Sequence, residues 1–143
     1  MTSPLISVII NNYNYGAFLA RAVQSALDQR DVHAEVIVVD DGSSDDSRAV
    51  INSFGDQIVA VFQANAGQAA AINTGVRYSK GEILCFLDAD DWFPPTSWPP
   101  PPPLLRAIRA SGLCITACNP CTPMAATLLR PFRAACVRAI WRR

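Results

Sequence analysis

The chain has 143 residues, half of them hydrophobic, with twelve acidic residues balanced by twelve basic ones. That length gives room for one domain with its own core. The N-terminal stretch Met1 to Asn14 lacks a basic n-region, and its apolar run is too short to span a bilayer, so neither a secretory leader nor a membrane anchor is expected in that stretch. The formal charge of zero hides two unlike parts. All twelve Asp and Glu lie at or before Asp91, together with five of the Lys and Arg. The other seven Arg, ten of the eleven Pro and four of the five Cys follow it. Five cysteines without an export signal point to reduced thiols, and Cys85, inside an apolar run, is expected to be buried and inert.

Leu5 to Ile10 is short, apolar and β-branched and is stopped by a polar segment, so it predicts a buried strand. In residues 17–29 the apolar positions Phe18, Leu19, Ala22, Val23, Ala26 and Leu27 form one helical stripe. Glu35 to Asp41 predicts a second strand, apolar enough to be covered on both faces, which favours a parallel sheet. Ser43 with Asp46 three residues later resembles a capping box for a helix carrying Val50, Ile51 and Phe54 and closed by Gly55. Ile58 to Phe62 predicts the third strand. An alanine-rich helix follows from Gly67 or Gln68 to Tyr78, closed by Gly81 and weakened by Gly75 within it. The segment from Glu82 to Asp90 predicts the fourth strand.

Strand and helix alternate with short connections, so the expected class is α/β, an open, mostly parallel sheet of βαβ units with helices on both faces. Ligands of such sheets bind beyond the carboxyl ends of the strands. Polar residues gather there: Asn11, Asn12 and Tyr13, then Asp40 and Asp41, then Gln63 and Asn65, then Asp88, Asp90 and Asp91. Asp88 and Asp90 are two apart and share one side of an extended chain. Carboxylates without His or Cys suit Mg²⁺ or Mn²⁺, whose remaining ligands are phosphate oxygens and water, so a diphosphate is the implied substrate group. Asp41 could accept a hydrogen bond from a base and Tyr13 could offer it an aromatic face. Each cluster alone has a plainer reading. An isolated DxD is more often a solvated turn, and residues 40–46 match ordinary turn and cap chemistry. Neither GxGxxG nor a P-loop is present.

Five motifs taken together, SVIINNYN, QSALDQ, EVIVVDDGSSDDS, NAGQAAAINTGV and SKGEILCFLDADDWFPP, resemble in order and spacing the nucleotide-binding half of a family 2 glycosyltransferase of GT-A fold, over about residues 5–95. The resemblance implies a hexosyltransferase-type enzyme that takes a UDP-, GDP- or dTDP-sugar and Mg²⁺ or Mn²⁺. The acceptor would be a saccharide or a lipid-linked compound. No nucleic acid partner is expected, and the implied location is the cytoplasm or the inner face of the membrane. It places Tyr13 against the base and Asp41 on the base edge. Asp88 would contact the ribose or the metal-bound diphosphate, and Asp90 would be the principal metal ligand, while Asn65, Gly67 and Gln68 match the loop beside the donor. One departure is that Asn11 or Asn12 stands where the family usually has proline.

Residues 1–95 are thus expected to form the nucleotide-sugar-binding half-domain, and 96–143 an irregular tail rich in Pro, Arg and Cys. Proline fixes φ and lacks a donor, so Pro99 to Pro103 can be neither helix nor sheet. The family's acceptor base is a carboxylate that follows the DxD, and residues 92–143 contain no Asp or Glu. The tail is accordingly read as an out-of-frame or truncated product, poorly ordered, and the chain as incomplete for catalysis. A nucleotide-binding remnant, or an interaction protein acting through its proline tract, are the alternatives. Cys114, Cys118 and Cys121 have spacings suited to part of a zinc site but lack an assigned fourth ligand.

Overall fold

The computed structural model describes residues 4–30 and 32–94, and the backbone of Cys114–Thr116. The proline tract and the spaced cysteines 118 and 121 lie outside the described residues, as does the rest of the tail. The elements in chain order are β1 Leu5–Asn12, α1 Gly16–Leu27, β2 His33–Asp41, α2 Ser47–Ser53, a single 3-10 turn at Gly55–Gln57, β3 Val59–Gln63, α3 Gln68–Tyr78, β4 Ile83–Asp88 and β5 Cys114–Thr116. All neighbouring strands are parallel and run in the order β3-β2-β1-β4-β5. The expected α/β architecture is therefore present, and one short stretch of the tail adds a strand beside β4.

The strand sequences explain why both faces are covered. Successive side chains on a strand point to opposite faces. Ile6, Val8 and Ile10 of β1, Val36 and Val38 of β2, and Ile83, Cys85 and Leu87 of β4 pack with Leu19, Ala22, Val23 and Ala26 of α1 and Ile51 of α2. The intervening Ile9, Ile37, Val39, Val61 and Phe86 pack instead with Ala71 of α3. Continuous apolar runs in β1 and β2 are thus two interleaved faces, each with its own helical cover. Cys85 is buried in the first of these clusters, as expected.

Gly75 looked like a weakness in α3, and the packing gives it a reason. A Cβ there would collide with Ile9 Cγ2, and Ile9 is fully buried. Removing the glycine would gain about 1 kcal/mol of helix propensity but cost about 1–3 kcal/mol of overpacking, so close approach wins. The capping box expected at Ser43 does not form. Asp46 is the N-cap residue of α2 and makes no side-chain cap bond. Asp45 does the work instead, accepting from Ser47 N at 3.0 Å and from Gly16 N, the first residue of α1, at 2.9 Å. Ser43 is drawn away because its hydroxyl accepts from Asn12 Nδ2 and Asn14 N.

Counted outward from β1, the chain goes to β2 and β3 on one side and to β4 on the other. Connections on the two sides leave the sheet in opposite directions, which opens a crevice at the carboxyl ends between β1 and β4. No helix among the described residues is long and apolar enough to cross a membrane.

Candidate functional site

A cleft of about 510 Å³ opens at this crevice, in the size range of small-molecule sites. The seven residues to which the resemblance gives roles line it, Tyr13, Asp41, Asn65, Gly67, Gln68, Asp88 and Asp90, whereas Asp40, Gln63 and Asp91 of the same strand ends do not. Parallel pairing is what gathers them. Asn11 of β1 is level with Asp88 of β4, Asn12 with Asp40 of β2, and Asp41 with Gln63 of β3. Polar residues at the ends of four separate strands become neighbouring rungs along one rim.

Asp41 organises the far wall. It is 2 % exposed, and its Oδ1 accepts from Gln63 Nε2 at 2.7 Å and from Ala66 N at 2.9 Å, while Oδ2 accepts from Gly67 N at 2.8 Å. A carboxylate offers about four acceptor positions, so three donors leave one available. The loop it holds turns through Gly67, whose φ of 88° lies in the region that favours glycine, and α3 begins at the next residue.

Asp40, equally buried, serves the near wall. Its Oδ1 accepts from Asn12 Nδ2 at 2.8 Å and its Oδ2 from Ser43 N at 3.2 Å. Asn14, at φ 58°, donates its amide to Ser43 Oγ and accepts from Ser44 N at 2.8 Å. This lashing of the loop after β1 to the loop after β2 sets Tyr13 and Tyr15 on either side of a left-handed residue. Both rings are about half exposed, and both line the cleft. Tyr15 was not singled out from sequence, because nothing in the spacing announces the turn at Asn14. The Oδ1 atoms of Asn11 and Asn12 are buried without a hydrogen-bond partner, and both residues line the cleft.

Asp88 and Asp90 reach the cleft by a route other than extended alternation. Strand β4 ends at Asp88, and Asp91 N donates to Asp88 O at 3.0 Å, closing a turn over residues 88–91. Asp88 Oδ1 accepts from Gln68 Nε2 at 3.1 Å, and Asp90 is exposed. Among the described residues no three His, Cys, Asp or Glu side chains cluster in a way that could hold a metal ion. Two carboxylates on a solvent-facing turn fit a hard divalent cation that draws the rest of its shell from a bound phosphate and water. They do not fit a closed structural site.

Against known proteins, the sequence model of the family described as Glycosyl transferase family 2 matches residues 7–119. The match extends beyond the span on which the five motifs lie and takes in β5. An uncharacterised glycosyltransferase of Nostoc sp. is 49% identical over 94 residues, covering 63% of this chain and 29% of that protein. Glycosyltransferase GlyG of Streptococcus pneumoniae is 39% identical over 93 residues, covering 62% and 31%. The chain therefore spans less than a third of the length of these two relatives. Among solved structures, S. aureus TarS 1-349 in complex with UDP-GlcNAc superposes with a TM-score of 0.55 at 26% identity, over 61% of this chain and 27% of that one. The mannosyltransferase PcManGT from Pyrobaculum calidifontis, in complex with GDP-Man and Mn²⁺, gives 0.57 at 25% identity, over 76% and 32%.

Proposed function

The chain belongs to Glycosyl transferase family 2, and we propose that its cleft binds the nucleoside diphosphate part of a sugar nucleotide together with Mg²⁺ or Mn²⁺. The observation that carries this reading is the meeting of Asp88 and Asp90 with Tyr13, Asp41 and the Asn65–Gln68 loop in one crevice beyond the strand ends. Complexes of solved relatives with UDP-GlcNAc, and with GDP-Man and Mn²⁺, support the same class of donor.

In this reading Tyr13 lies against the base, and Asp41 uses its remaining acceptor position for a base N–H while it holds the neighbouring loop. Asp90 is the principal metal ligand. Asp88, steadied by Gln68, contributes an oxygen to the metal or to the ribose. Asn65, Gly67 and Gln68 flank the diphosphate. When bound, the cation would neutralise charge on the departing diphosphate. Transfer joins an acceptor hydroxyl oxygen to the anomeric carbon, breaks that carbon's bond to the diphosphate and releases the hydroxyl proton to a base. No Asp or Glu stands among residues 92–143, so a carboxylate base cannot come from that segment. Residues 1–95 are assigned donor binding.

A screen of nucleoside diphosphates and their sugars by thermal unfolding, with and without Mn²⁺, tests the proposal. A ligand that binds only the folded form stabilises it by RT ln(1 + [L]/Kd). One nucleotide should stabilise the chain more in the presence of Mn²⁺, and Asp90→Ala should abolish the Mn²⁺-dependent part. Equal stabilisation of the wild type and the variant would sink the metal assignment.

A further inference from the structure

The acidic turn after β4 leads into three residues laid along α1. Arg21, Ser25 and Gln29 are spaced by four, which aligns them on one side of α1 and its C-terminal extension. Each receives one residue of 92–94. The Arg21 guanidinium carbon lies 3.4 Å from the centroid of the Trp92 ring. Phe93 N donates to Ser25 Oγ at 3.0 Å, and Ser25 in turn donates to Ala22 O. Gln29 Nε2 donates to Pro94 O at 3.1 Å and to Ser25 O at 3.0 Å. Between these polar contacts the Phe93 ring is buried in the core cluster beneath α1.

The turn from Asp88 to Asp91 is therefore fixed at both ends, by β4 on one side and by this strap on the other. Its carboxylates gain from such support, because Asp90 is exposed and, among the described residues, Asp88 is held by the bond from Gln68 Nε2. A loop placed by one end alone would let the two carboxylates drift, and metal ligands held loosely lose affinity.

We propose that Trp92, gripped by Arg21 on α1, is a positioning residue that sets the geometry of the Asp88–Asp91 turn for its cation. The consequence for metal binding rests on the reading of the cleft given above. The consequence for the turn itself does not. Arg21 is exposed, so replacing it leaves the core intact.

The test is Arg21→Met, which keeps an apolar stem and removes the cation over the ring, with Arg21→Lys as the conservative partner. Amide hydrogen exchange of the ligand-free chain reads the turn directly through Asp91 N and Phe93 N. In Arg21→Met both should exchange about fivefold faster or more, with amides of β1 and β2 unchanged, and Arg21→Lys should restore most of the protection. Where the wild type shows Mn²⁺-dependent stabilisation by nucleotide, Arg21→Met should raise the Mn²⁺ concentration needed for it about tenfold. Unchanged exchange at Asp91, or faster exchange spread evenly over the sheet, would overturn the strap. An absence of Mn²⁺-dependent stabilisation in the wild type would instead overturn the reading of the cleft, with the exchange data still deciding the strap.

Discussion

Asp41 shows how one side chain can hold a loop and line a cleft at once. Its two oxygens take three donors from residues 63–67, so the shape of that wall depends on a buried charge. Asparagine has nearly the same size but only one acceptor oxygen, and its NH₂ would be set against an amide N–H of Ala66 or Gly67. Asp41→Asn should therefore lower stability by about 2–4 kcal/mol in urea unfolding, since buried partners are left unsatisfied. It should also weaken nucleotide binding by about tenfold or more, read by titration at a temperature where the variant remains folded. A loss of stability without any change in affinity would leave Asp41 as a builder of the loop and remove it from base recognition. The sequence made Asp41 legible as a strand-end carboxylate. It could not reveal the three internal donors, because Ala66 and Gly67 offer only backbone groups that every sequence carries.

At the scale of elements, α1 and α2 share an N-terminal partner that neither supplies. Neither N-cap residue, Tyr15 or Asp46, makes a side-chain cap bond, and Asp45 accepts from the first amide of each helix. The Ser47 hydroxyl close by, followed by the Gly16 and Ser47 amides and opposed by burial, holds the Asp45 carboxyl below the ordinary carboxylate range. Ser47 Oγ forms no aligned hydrogen bond, so it acts as a neighbouring dipole. A carboxyl with a lowered pKa in the folded state contributes stability above its unfolded value of about 3.9, and that contribution fades as pH falls through the folded value. Asp45→Ala should cost about 1 kcal/mol near neutral pH, as lost caps do, and the gap to the wild type should narrow as pH drops below about 3.9. Chemical denaturation at several pH values checks this, and a gap that widens in acid would contradict it. Helix α3 was legible almost to the residue, since Gly67 and Gly81 bracket an alanine-rich run. The start of α2 was not, because Ser43 had two competing partners thirty residues away in β1 and its loop. Sequence spacing carries no trace of such a competition.

Across the whole molecule, the alternation of elements made the α/β class and the polar rim readable, whereas strand order was not. Nothing local in Ile83–Asp88 says that it will pair with β1 rather than with β3. The same long reach hid the strap, whose contacts join residues 65 and 68 positions apart. That order of strands has a consequence for the chain while it is being made. Strand β1 emerges first, finds β2 within about thirty residues, and then waits for β4 with one edge open. At about 5–20 residues per second of synthesis, the roughly 75 residues between β1 and β4 correspond to about 4–15 s. Throughout that interval a strand with a continuous apolar run presents unpaired amides and carbonyls, a template for pairing with another chain. A chain ending at residue 82 reproduces this state. It should self-associate at micromolar concentration under conditions where the full chain remains dispersed, as light scattering would show, and a monodisperse fragment would refute the idea. The strand that brings Asp88 to the cleft is thus also the one that covers the open edge of β1, so closure of the crevice and the end of that strand's exposure fall at the same moment of synthesis.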